Sequence, residues 1–343
     1  MGAESLRLIQ KSKRASFRLI SVSGFKTDLL EIHSQDPKLH VLFIPGNPGV
    51  ISFYTDFLES LYELLGGTAS VTGNLFWMLI AFLLINGEAI SHISHSDKDW
   101  ESGRLFSLQE QTDHKLMRFF TSVIFILVFQ IGFIEQELED VEVPIVLVGH
   151  SIGSYISLDI FRRCHKKVIY CVGLYPFLAL NSESITQFSI KKIAALPALC
   201  ATISFTGALL GMLPARISRF LVKKSMGKSW SFSAVEVLRT HVLQYHTIRN
   251  MLFMAMTEFQ ELPEKPDLDF IRGKESQIAF LFGLDDHWGP LHLYKEICKQ
   301  APDVSIEVER VGHTHAFSCS EAGSLWVARH VSNLIKNTVV SAN

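Results

Sequence analysis

The most constraining stretch is Gly149-His150-Ser151-Ile152-Gly153, which follows the apolar run Ile145–Val148 and opens an apolar helix carrying Tyr155, Ile156, Leu158, Ile160 and Phe161. A strand with no polar face is buried on both sides, the environment of a parallel sheet covered by helices. The rest of the chain repeats the pattern. Ser16–Val22 and Thr27–Ile32 read as strands around a turn at Ser23–Gly24, and Leu39–Ile44, Val168–Leu174, Ile278–Phe282 and Val304–Val308 as further strands. Ile51–Leu65 and Glu321–Lys336 carry helical apolar spacing. Alternating strands and helices predict one α/β domain over residues 1–343, with a mostly parallel central sheet and helices on both faces. No internal repeat is visible.

The chemical reading follows from G-x-S-x-G in a strand–turn–helix setting. Glycine at 149 and 153 leaves room for a turn so tight that the serine is strained and its hydroxyl projects above the sheet edge. An ordinary strand-to-helix turn is the alternative. A serine nucleophile needs a base, and the base an acid, in the chain order serine, acid, histidine. Asp285 and Asp286 directly follow a strand, and Asp286 is preferred because His287-Trp288-Gly289-Pro290 can fix it. Of His313 and His315, His315 is preferred; His287 reads as a loop residue. The oxyanion donors expected are the N–H of Ile152 and that of Asn47, with Gly49 second, because Pro48 has none.

Composition limits the partners. With 48% hydrophobic and 19% charged residues and a net charge of −2, the 343-residue chain is neither disordered nor a charge-driven nucleic-acid binder. The apolar excess sits in three uncharged blocks, Leu75–Ile85, Phe119–Ile134 and Ile193–Ala215. The third is long enough to span a bilayer, but Pro197, Gly207, Gly211 and Pro214 favour a hairpin or two short interfacial helices. A buried cap helix is the alternative, and residues 177–270 are expected to form a helical cap. No secretory or myristoylation pattern opens the chain. Five irregularly spaced cysteines read as reduced thiols. His92 and His95 form an HxxH pair without a third ligand and are expected in a surface loop, with no metal. No Walker loop or dinucleotide fingerprint occurs, so no cofactor is expected.

The segments FIPGNPGVISFY, LVGHSIGSY, FGLDDHWGP and GHTHAF, in this order along nearly the whole chain, resemble the lipid-droplet-associated hydrolases, a branch of the α/β-hydrolase superfamily. The resemblance implies a serine esterase or lipase acting on neutral lipid esters such as sterol esters, attached to lipid droplets and the endoplasmic reticulum, with Ile193–Ala215 contributing to attachment. A thioesterase or acyltransferase would use the same residues. A weakly active or non-catalytic droplet-surface protein serving lipid storage and droplet growth is the competing class. The chain departs from the family pattern at two apolar segments of 16 residues, 73–88 and 117–132. We read them as inserts foreign to the mature fold, of the kind translated intron sequence produces. Genuine lipid-facing insertions are the alternative.

Overall fold

The computed structural model describes residues 15–66, 84–95, 101–131 and 144–341, apart from 23, 34–36, 102, 166, 227 and 228. An eight-stranded sheet organises it: β1 (Ser16–Val22), β2 (Phe25–Ile32), β3 (Pro37–Ile44), β4 (Leu84–Ile90), β5 (Ile145–His150), β6 (Val168–Leu174), β7 (Ile278–Gly283) and β8 (Ser305–Glu309). Their order across the sheet is β1-β2-β4-β3-β5-β6-β7-β8. β2 is antiparallel to both neighbours, and β4 through β8 are parallel. The expected mostly parallel sheet is therefore present.

Alternate residues of each central strand feed opposite cores, as the two-residue period of a strand requires. Val41, Phe43, Val146, Val148, Ala279 and Leu281 join one core. Leu42, Ile44, Ile145, Leu147, Phe280 and Phe282 join the other. The first core is closed by α1 (Thr55–Leu64), entered through a 3-10 turn at Ile51–Tyr54, and α11 (Glu321–Ser341). α2 (Leu108–Ile131), α3 (Ile152–Arg163) and α10 (Leu291–Gln300) lie on the other face.

Of the first apolar segment, residues 73–83 lie outside the described residues. Leu84–Glu88 pair in β4, with Gly87 opposite Val41 and Glu88 opposite both Leu42 and Glu31. α2 runs without a break through 117–131. The segments meet at a buried ion pair, Arg118 Nη2 to Glu88 Oε1 at 3.0 Å.

Between β6 and β7 the chain leaves the sheet as α4 (Ile185–Ala194), α5 (Pro197–Met212), α6 (Ala215–Met226), α7 (Phe232–Val237), α8 (Tyr245–Glu261) and α9 (Leu268–Gly273). Proline sets the start of α5, where its missing N–H costs nothing. Among the described residues no single helix is long and apolar enough to cross a membrane; α4 and α5 pass such a test only as a pair bent by 96°. Gly207 and Gly211 do not break α5. A Cβ at Gly207 would lie 2.2 Å from the Ile248 side chain, and one at Gly211 would lie 2.2 Å from the Leu243 carbonyl. The glycines form a seam that lets α5 approach α8 and the residues just before it. Its other side leaves Phe205, Leu209 and Met212 exposed, continuous in sequence with exposed Phe188 on α4 and Phe220 on α6. From Ile185 to Met226 there are six basic residues and no carboxylate.

Candidate active site

Ser151 stands alone between β5 and α3, with φ 55° and ψ −124°. A non-glycine residue at positive φ is costly and persists only where its surroundings hold it. Here the Ser151 N–H donates to the Leu174 carbonyl at 2.9 Å, and its own carbonyl accepts from Ser154 and Phe177 at 3.0 and 3.1 Å. Glycine is required on either side. A Cβ at 149 would meet the Gly153 carbonyl oxygen at 2.3 Å, and a Cβ at 153 would meet the Ile44 carbonyl oxygen at 2.3 Å.

Asp286 follows β7, and its carboxylate is shielded from solvent. Oδ1 accepts the Trp288 N–H at 2.9 Å, and Oδ2 lies 2.9 Å from His315 Nδ1. A carboxylate only accepts, so Nδ1 carries the hydrogen and Nε2 of the neutral ring is left with its lone pair. Asp285 and His287 are exposed. His313 faces Trp326 of α11 at 5.8 Å between ring centroids. The loop before His315 is tied down by buried Glu309, whose Oε1 accepts the Gly312 N–H at 3.0 Å. No hydrogen bond joins Ser151 to His315. The two are brought to the same sheet end by His150, whose ring lies 4.8 Å from that of His315.

Of the four positions Gly46–Gly49 in the loop after β3, three are unavailable as oxyanion donors. Gly46 N–H donates to Tyr54 Oη at 3.2 Å. Pro48 has no N–H, and Gly49 N–H donates to His95 Nδ1 at 2.9 Å. Asn47 remains. Among the described residues no acceptor takes its N–H or that of Ile152, the first residue of α3. The Asn47 side chain is anchored instead, with Nδ2 donating to the Met251 carbonyl at 3.0 Å and to Glu258 Oε1 at 3.1 Å.

His92 and His95 are not in a surface loop; both are buried. The reason is packing against the loop they support. His92 N–H donates to the Gly49 carbonyl at 2.9 Å, and its ring lies where a Cβ at 49 would be, 2.2 Å away. Ser91 Oγ accepts the Ile51 N–H at 3.2 Å. Burial pushes the His95 imidazole down to about 3, which keeps Nδ1 free to accept. Buried Lys115, likewise lowered by desolvation, closes the cluster by donating to the Ser91 carbonyl at 2.8 Å. Among the described residues no group of three or more His, Cys, Asp or Glu is placed to hold a metal.

His150 connects these parts. Its Nε2 lies 3.0 Å from the His315 carbonyl and its Nδ1 2.7 Å from Tyr54 Oη. The carbonyl can only accept, so Nε2 donates and Nδ1 accepts from the tyrosine hydroxyl. Desolvation holds the ring well below its ordinary value and hence neutral. A single chain of hydrogen bonds thus runs from Gly46 through Tyr54 and His150 to His315. Tyr54, His95, Glu258 and Glu309 were not among the residues expected from sequence. The HxxH spacing singled out His95 only as a residue of a surface loop.

A cavity of about 480 Å³, bordered by Leu180, Gln187, Phe188, Lys191 and Phe259, lies against the acid loop, where Gln187 Nε2 donates to the His287 carbonyl at 2.9 Å. Phe259 stacks on Trp288 at 6.4 Å, and Trp288 faces His315 at 6.3 Å, so an aromatic layer separates cavity and imidazole.

Solved structures with this architecture include a thermophilic esterase from Thermogutta terrifontis, with a TM-score of 0.56 and 12% identity over 94% of this chain and 99% of the other. An epoxide hydrolase from Vigna radiata gives 0.58 and 13% over 94% and 99%. At such identity they show the α/β-hydrolase fold alone. Sequence relatives named lipid droplet-associated hydrolase include one from Dictyostelium discoideum, 26% identical over 91% of this chain and 94% of the relative. Another, from Homo sapiens, is 28% identical over 85% and 83%. The profile of the lipid-droplet associated hydrolase family matches residues 37–318. The chain belongs to the lipid-droplet associated hydrolase family.

Proposed function

We propose that the protein is a serine ester hydrolase that cleaves neutral lipid esters, of sterol ester or acylglycerol type, at the surface of lipid droplets and the endoplasmic reticulum, from the cytosolic side. The observation that carries the reading is the Asp286–His315 hydrogen bond at the sheet end that holds Ser151 in a strained elbow. His315 Nε2 takes the Ser151 hydroxyl proton as Oγ attacks the ester carbonyl carbon. The oxyanion meets the free N–H groups of Asn47 and Ile152. The C–O bond to the alcohol breaks, His315 returns the proton to the leaving oxygen, and the acyl group stays on Ser151. Water, deprotonated by the same imidazole, then releases the acid. Asp286 keeps the ring in the required tautomer throughout.

The family's naming and the exposed apolar helices α4 to α6 support the surface. Exposed apolar side chains interspersed in sequence with lysines and arginines suit the boundary between acyl chains and headgroups. Those helices need no chemistry to bind lipid, which favours a non-catalytic droplet-surface role as the second reading. Fluorophosphonate labelling of the wild type and of Ser151→Ala separates the two. Labelling that disappears in the variant is expected; a folded wild type that does not label at Ser151 leaves the second reading.

A further inference from the structure

We infer that Glu258, on the cap helix α8, is the positioning residue that sets the oxyanion donor Asn47 in place; the inference rests on the serine-hydrolase reading.

The Asn47 amide is fixed in one orientation, because the Met251 carbonyl can only accept and so must face Nδ2. The second Nδ2 hydrogen goes to Glu258 Oε1 at 3.1 Å. Both anchors are on α8, one carbonyl and one side chain, while the flanking glycines are held from elsewhere, by Tyr54 and His95. Asn47, whose N–H has no acceptor among the described residues, is therefore clamped by α8 rather than by the sheet. Glu258 is buried, an unusual place for a carboxyl with no basic partner among the described residues. Its burial pushes the carboxyl up to about 8, so near neutral pH it is uncharged and places no negative charge beside a developing oxyanion. A neutral acid accepting from an amide is what this position uses, and glutamine can replace it. An ångström of displacement at such a donor costs about 100-fold in rate.

The test compares Glu258→Ala, Glu258→Gln and Asn47→Ala with wild type in the full chain, using a short-chain p-nitrophenyl ester and the fluorophosphonate labelling rate. Glu258→Ala is expected to lower kcat at least tenfold with KM within about twofold, because the donor matters in the transition state. Glu258→Gln is expected to stay within about threefold of wild type. Asn47→Ala, which keeps the backbone N–H and loses the clamp, is expected to match Glu258→Ala, and the double variant to be no worse than either. Should Glu258→Ala not fold, the glutamine and asparagine variants still decide the matter. Wild-type kcat in Asn47→Ala, or a loss in Glu258→Gln as large as in Asn47→Ala, overturns the role of Glu258 while leaving the hydrolase reading intact. A wild type without Ser151-dependent labelling overturns both.

Discussion

Replacing Arg118 by methionine isolates the contact between the two apolar segments. Arg118 Nη2 and Glu88 Oε1 are 3.0 Å apart, and the side chains are 9% and 10% exposed. At an effective dielectric near 20, charges at that separation attract by about 5 kcal/mol, and removing one partner of a buried pair costs about 3–5 kcal/mol, because the other charge stays buried. The nearby His40, 3.7 Å from Glu88, does not substitute, since desolvation lowers its pKa and keeps it neutral. Arg118→Met should therefore lose about 3–5 kcal/mol in urea unfolding. Glu88→Gln combined with Arg118→Met should lose far less than the sum of the singles, with a coupling of at least about 1–2 kcal/mol. A loss below about 1 kcal/mol for Arg118→Met, with no coupling, would refute the burial argument. The pair also bears on the proposal that 73–88 and 117–132 are foreign to the mature fold. Each segment carries one partner, so a chain lacking both loses the pair as a whole, whereas a chain lacking one breaks it. Peptide mass spectrometry that recovers a peptide joining residue 72 to residue 89 supports the proposal, and recovery of the segments themselves sinks it.

Three other expectations can be measured directly. Folded Glu258 titrates near 8 and the unfolded side chain near 4.5, so the folded state binds more protons in that window; stability should fall as pH rises through it, by roughly 5 kcal/mol at most, and Glu258→Gln should abolish this slope in denaturant melts. Gly49→Ala puts a Cβ 2.2 Å from the His92 ring, so it should lower stability by about 1–3 kcal/mol and cut esterase kcat; wild-type kcat would contradict the account of the loop. Phe205→Ser with Leu209→Ser removes side chains that are 59% and 48% exposed, so droplet partition should weaken some tens-fold, about 2 kcal/mol, without a shift in Tm; unchanged flotation with droplets counts against α5 as the contact face.

The elbow, the acid loop and the histidine loop were legible because each is a local pattern: an apolar strand, a tight turn, a polar residue at the strand's carboxyl end. Asp286 and Asp285 differ in burial, which neighbouring residues in sequence only suggest. The supports of the site were illegible for a different reason. Asn47 and Glu258 are 211 positions apart, and nothing in either neighbourhood encodes their contact. His92 and His95 looked like loop residues because imidazoles are usually wet, and only the close approach of Gly49 explains their burial. Gly207 and Gly211 were read as punctuation because a helix seam for another helix is invisible until the partner is in place. The pairing of Leu84–Glu88 between β2 and β3 was likewise obscured, since the preceding apolar run dominates the local pattern.

The chain of hydrogen bonds from Gly46 through Tyr54 and His150 to His315 has a sense of travel. Each hydrogen in it points the same way, from the loop after β3 toward the histidine loop. A neutral imidazole in one tautomer is a rigid relay with an acceptor at one end and a donor at the other. Glutamine or asparagine can present both groups only from one end, so neither bridges the span between Tyr54 and the His315 carbonyl. The variable position of the serine motif is thereby the site's one-way coupling: the other neutral tautomer would turn a ring lone pair on the His315 carbonyl and break that bond, so a carbonyl that can only accept is what holds the relay in its sense.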